Sequence, residues 1–284
     1  FAVSLFWYFK KGGRFVNPKK QLKPLISSAA PITAMRTSTS LLNSAAAVIL
    51  PALLMSACGY TSSEAVALYG VTVGMAIPML FIPNSLIGSI AVVVAPELSE
   101  NYYKHNKKAV KSDVEKTVKA AIFISTMLTP VLFALGKPIS LFLYDSELCG
   151  RIVTISSVMM LPMCIGMITN TVLNSMNCEK RTLLYFCLGA AAMLVSVVVL
   201  TRYIGVYSYV LGLGLSFLIS AVLNLRLLKK KCPEVNYLKY ALRSIGVTVF
   251  ACAFGWFLNG MISHWLSPVL QILVCAPILL LFTA

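Results

Sequence analysis

The chain has 284 residues, of which 58% are hydrophobic and only 12% charged, with a formal net charge of +15. So apolar a composition excludes an ordinary water-soluble domain. It also excludes a nucleic-acid surface, which gathers its cations on one solvated face. Here twenty of the twenty-four Lys and Arg residues fall in four separated segments, 10–23, 104–119, 180–181 and 226–243, with long apolar stretches between them. Cytoplasmic loops collect Lys and Arg, and every second loop of this chain does so. The sequence therefore predicts a multi-pass helical protein of the cytoplasmic membrane, in contact with membrane lipids and with its basic loops inside.

A hydrocarbon core of ~30 Å takes about twenty helical residues at 1.5 Å each. Residues 1–9 read as the end of a helix running inward, followed by the basic loop. Span 24–57 then runs outward and 63–98 inward; 117–136, 182–201 and 240–260 run outward, and 151–177, 208–228 and 268–284 inward. That makes eight spans plus a partial one. The chain starts at Phe1 and ends at Ala284 inside apolar segments, which gives the expectation of a piece of a longer protein.

Local signals mark the ends of these spans. Thr61 with Glu64, and Ser112 with Glu115, have the spacing of capping boxes. Gly59, Gly136, Gly150 and Gly205 are expected in outer turns. Trp256, Trp265, Tyr203, Tyr207 and Tyr209 lie near span ends, where amphipathic rings favour the interface. Pro51, Pro78, Pro83 and Pro96 interrupt the first two spans, and the first three are expected to bend helices. Gly70 and Gly74 form a G-x-x-x-G pair suited to close helix approach. Gly212 and Gly214 lack the preceding strand of a dinucleotide loop.

Eight cysteines form no C-x-x-C or C-x-x-H pair, and His105 and His264 fall in different loops. No metal site, disulfide framework or cofactor is predicted.

Arg36 is the one charged residue well inside an apolar span. Thr33, Arg36, Ser40 and Asn43 recur at helical spacing and share a face. Arg36 either faces a water-filled cavity or reaches back to headgroups. Asn170, Asn174 and Asn177 make a second stripe, which faces water or other helices, and Asn84 is a weaker candidate of the same kind. No Asp or Glu lies mid-membrane, so a proton relay or acid–base catalysis has no group to use in this segment. The chain is not expected to be an enzyme; a membrane-embedded sugar transferase would want clustered acids and a longer structured loop.

Four segments carry a family resemblance: APITAMR at 30–36, LYGVTVGMAIPMLFIPNSLIGSIAVVVAPELSE at 68–100, LNSMNCEK at 173–180 and YSYVLGLGLSFLISAVLNLRLL at 207–228. They resemble the SpoVB-type flippases of the MOP superfamily, which are related to the MurJ lipid II flippases and more distantly to the MATE exporters. LNSMNCEK departs from the Gly-rich ending of relatives. The resemblance implies a fourteen-helix, two-lobe architecture. In it, residues 1–23 close the preceding helix and 24–284 form the C-terminal lobe, helices seven to fourteen, whose partner is the missing N-terminal lobe of the same chain. It further implies transport of a polyprenyl-diphosphate-linked sugar, a cell-wall, polysaccharide or sporulation precursor, by alternating access. Arg36, Ser40, Asn43, Asn170 and Asn174 would then contact the substrate, because a diphosphate suits a cationic cavity. A MATE-like cation-coupled antiporter is the alternative.

Overall fold

The computed structural model describes residues 7, 10, 19–233, 235, 237–262 and 266–283. The expected helix end at 1–9 therefore lies outside the described residues apart from Trp7, as do the loop stretch 11–18, His264 and Trp265. Among the described residues there is no strand. Eight helices follow in order among the described residues: α1 Lys19–Cys58, α2 Ser62–Tyr103, α3 Lys107–Tyr144, α4 Glu147–Ser175, α5 Glu179–Ile204, α6 Tyr207–Lys231, α7 Tyr237–Ile262 and α8 Pro268–Thr283. The first seven are long and apolar enough to cross a membrane, whereas α8 has 16 residues. The fold is thus that of a polytopic helical membrane protein. Several helices outrun the bilayer; α3 reaches 38 residues, because its amphipathic basic start continues the helix below the apolar run.

Thr61 caps α2 with the expected reciprocal box: its side chain accepts from the Glu64 N–H, and the Glu64 carboxylate accepts from the Thr61 N–H. The Ser112–Glu115 box does not form. α3 starts earlier, at Lys107, where the Asn106 side chain accepts from the Ala109 N–H. Glu115 instead pairs with Lys119 at 2.7 Å and accepts from the Tyr240 hydroxyl at 3.2 Å, which ties α3 to α7. The buried hydroxyls of Thr126 and Ser244 join the same two helices.

The glycines also sort differently from their sequence reading. Gly59 and Gly205 do sit in turns, with φ of +74° and +57°, a region that costs glycine nothing. Gly136 and Gly150 are inside α3 and α4, and the turn between them falls at Asp145, φ 49°. Their role is close approach: a Cβ on Gly150 would lie 2.7 Å from the Lys137 Cα, and one on Gly136 2.7 Å from the Thr154 hydroxyl. Gly70 and Gly74 do not pack helix on helix. They belong to a π-helical stretch, Gly70–Ala76, with no atom within 4 Å of either added Cβ. Pro78 follows at once, and with no N–H it leaves a carbonyl one turn back without its helical donor, which suits a local change of helix winding. Pro83 and Pro96 are also accommodated within α2, while Pro51 is buried within α1.

A close seam also joins α5 and α6. A Cβ on Gly189 would meet the Ser216 hydroxyl at 2.7 Å, and one on Gly212 the Met193 carbonyl at 3.0 Å. α1 packs along α5; α4 packs between α6 and α2; α3 carries α7 and α8 on its far side. Leu50, Leu54, Ile87, Leu98, Ile168 and Leu228 are among the largest fully buried side chains of this core.

The basic segments 104–119, 180–181 and 226–243 meet at one end of the bundle. Lys231 of α6 lies over the Tyr102 ring of α2, its ammonium 5.9 Å from the centroid. Between α4 and α5, burial pushes the Cys178 thiol above its ordinary range, while nearby Lys231 and Arg181 act in the opposite direction. At the other end the Cys58 thiol donates to the Thr201 carbonyl, 3.2 Å, and Thr201 bonds Ser208 at 2.7 Å. Charge segregation along the sequence thus becomes charge segregation between two ends of one bundle.

Candidate functional site

Two polar regions among the described residues bear on function. The first is a cavity of 190 Å³ where α1, α2, α4, α5 and α6 converge, with Asn84, Asn170, Thr182, Tyr185, Ser220 and Asn224 in its wall. Asn84 and Asn224 are only 8% and 3% exposed, and the side-chain oxygen of each has no hydrogen-bond partner among the described residues. Leaving such an oxygen unpaired in a buried setting costs about 1–3 kcal/mol. The cavity therefore offers acceptors to water or to hydroxyl and amide donors, and its volume is large enough for several waters at ~30 Å³ each. Among the described residues no carboxylate or cation lines it, so the hydrogen bonds it offers are neutral ones.

The asparagine stripe of α4 divides three ways. Asn170 lines the cavity and reaches the Met35 sulfur at 3.8 Å. Asn174 accepts from the Thr182 hydroxyl at 2.7 Å and so braces the start of α5 against the end of α4. Asn177 is not on the helix, which ends at Ser175, but in the left-handed turn beyond it, φ 57°. Its short polar side chain tolerates that conformation. Asn224 and Thr182 were not legible as site residues; the signal for Asn224 was a lone amide inside the apolar run of α6.

The second region is on α1. Met35 faces the cavity, and Arg36, about 100° further round the helix, is exposed together with Thr33, Ser40 and Asn43. The expected polar face is therefore real as a surface but is not part of the cavity. Arg36 takes part in no ion pair among the described residues. Arg36 lies within the apolar span Ala29–Cys58, and an exposed guanidinium there needs water, headgroups or another protein surface beside it.

No group of three or more His, Cys, Asp or Glu among the described residues is placed to hold a metal ion. Crossing helices, a polar interior and a polar stripe turned outward within an apolar span define a polytopic membrane protein. A family model described as lipid II flippase MurJ matches residues 3–275. The chain belongs to that family of flippases for lipid-linked precursors. No curated protein and no solved structure matches it. The resemblance to the MOP superfamily thus holds at the level of the MurJ family.

Proposed function

We propose that this protein flips a polyprenyl-diphosphate-linked sugar across the cytoplasmic membrane by alternating access, with SpoVB-like choice of a cell-wall or polysaccharide precursor. In this reading α1–α8 act as one lobe, and a second lobe of the same chain faces the polar side of α1. The observation that carries the reading is the exposed row Thr33, Arg36, Ser40 and Asn43 within an apolar span. Such a row is stable against a hydrated cleft and costly against lipid tails. Arg36 supplies a planar fork for a diphosphate, and hydroxyl and amide groups beside it suit a sugar. Membership of the MurJ family supports this above a cation-coupled antiporter.

The test is transport of a fluorescent lipid-linked precursor by the full-length protein in proteoliposomes. Arg36→Ala should reduce the rate by more than about tenfold, the scale of a lost charge-assisted hydrogen bond, with unchanged unfolding temperature. Arg36→Lys should keep part of the rate, because charge is retained and the fork is lost. Normal transport by Arg36→Ala would assign Arg36 to headgroup contact instead.

A further inference from the structure

Below the polar cavity, at the basic end of the bundle, the α5–α6 seam opens into a separate groove of 520 Å³. Arg181 of α5 and Arg226, Lys229 and Lys230 of α6 stand around it, and no carboxylate lines it among the described residues. All four cations are exposed, and none takes part in an ion pair or hydrogen bond through its side chain among the described residues. Four cations outside the groove are neutralised locally: Lys104 pairs with Glu100, Lys119 with Glu115, and Lys137 and Arg151 with Glu147. The rule that cytoplasmic loops are basic does not by itself bring cations of two helices round one groove. Positions 226, 229 and 230 share a helix face by their i, i+3, i+4 spacing, and that face is turned toward Arg181.

The rest of the wall is apolar or aromatic. Leu223, Leu227 and Tyr185 supply it, with Leu227 buried and the other two half-buried. A ligand matched to this groove is therefore amphipathic, with an anionic head held by two guanidiniums and two ammoniums and a hydrocarbon neck lying on leucine. Guanidinium forks fit phosphate oxygens in pairs. A freely soluble phosphate would gain nothing from the leucine wall.

We propose that the α5–α6 groove is a binding site for a lipid-borne phosphate in the leaflet at the basic end of the bundle. The phosphate belongs either to an acidic phospholipid or to a polyprenyl diphosphate; both present the same group on a hydrocarbon chain. Tyr185 lines this groove and the polar cavity alike, so a bound headgroup rests against the cavity wall and is placed to influence its opening. The proposal stands on the groove's own charge and does not depend on the transport reading.

The experiment is native mass spectrometry of the purified full-length protein, titrated separately with phosphatidylglycerol, a polyprenyl diphosphate, a long-chain fatty acid and inorganic diphosphate. At ~1 kcal/mol per cation near a lipid surface, the double variant Arg181→Gln/Arg226→Gln should weaken the phosphate lipid by about tenfold to thirtyfold. Lys107→Gln/Lys108→Gln removes the same charge at the same end of the bundle, outside the groove, and should change binding less than about twofold. Arg181→Lys/Arg226→Lys should restore part of the loss. A groove-dependent loss for phosphatidylglycerol identifies a phospholipid site, and one confined to the polyprenyl diphosphate identifies a carrier-lipid site; either supports the proposal. Equal weakening by the two glutamine pairs, equal affinity for the fatty acid, or tighter binding of inorganic diphosphate than of either lipid overturns it.

Discussion

The α1 stripe and the α2–α4–α6 cavity both draw on hydroxyl and amide side chains, with Arg36 in the stripe alone, and they face opposite fates. Thr33, Arg36, Ser40 and Asn43 stay exposed along α1, whereas buried Asn84 and Asn224 and half-buried Asn170 share one cavity wall. The difference lies in what surrounds each helix. α1 packs mainly along α5 and touches α2 beside the turn that joins them, so one of its faces is left over. α4 is flanked by α2, α3 and α6, and its Asn170 and Asn174 are half-buried between them and α5. Polar residues on a half-packed helix are free to serve a partner or a substrate. Those on an enclosed helix must be satisfied inside or raise the energy of the fold.

That contrast separates most widely in chemical access. In a background without native cysteines, Ser40→Cys should react with a water-soluble maleimide roughly tenfold or more faster than Asn224→Cys, since buried thiols are inert. Equal rates would remove the distinction between the stripe and the enclosed cavity. The next effect concerns the cavity wall. Gly189→Val at the α5–α6 seam drives a side chain into Ser216 and should cost about 1–3 kcal/mol of unfolding free energy, read from denaturant unfolding in detergent. A smaller effect is expected at the amides: Asn84→Leu removes an unpartnered oxygen and should leave stability unchanged or raise it by about 1 kcal/mol. A clear loss would mean that this oxygen is satisfied by ordered water. Gly74→Ala, with open space at its Cβ, should shift stability by less than about 1 kcal/mol, in sharp distinction from Gly189.

The crossing helices and their order were legible from the chain alone, as was the grouping of the basic loops. Thr61–Glu64 was readable because a capping box acts within four residues. Ser112–Glu115 had the same spacing and failed, because Asn106 offered an earlier cap and Tyr240, far along the chain, engaged Glu115. Gly70 and Gly74 had the better-known packing motif, yet Gly189 and Gly212 make the close contact. Motif spacing shows which face a glycine lies on and not whether a neighbour comes to meet it. Of the five expected substrate contacts, Arg36, Ser40 and Asn43 lie on an exposed face, Asn170 lines the cavity, and Asn174 bonds Thr182.

Hydropathy, span length and loop charge determined that this is an all-helical membrane protein with one basic end. Each acts along the chain and needs no knowledge of which helix stands beside which. Only the tertiary structure decided that Asn84 and Asn224, from distant helices, share one cavity with Asn170, and that Met35 faces it while Arg36 turns away. It also decided that Arg181 stands across a groove from Arg226. Those outcomes rest on helix neighbours and rotation, which are settled by packing between segments far apart in sequence, where a change of one residue in register turns a side chain by about 100°.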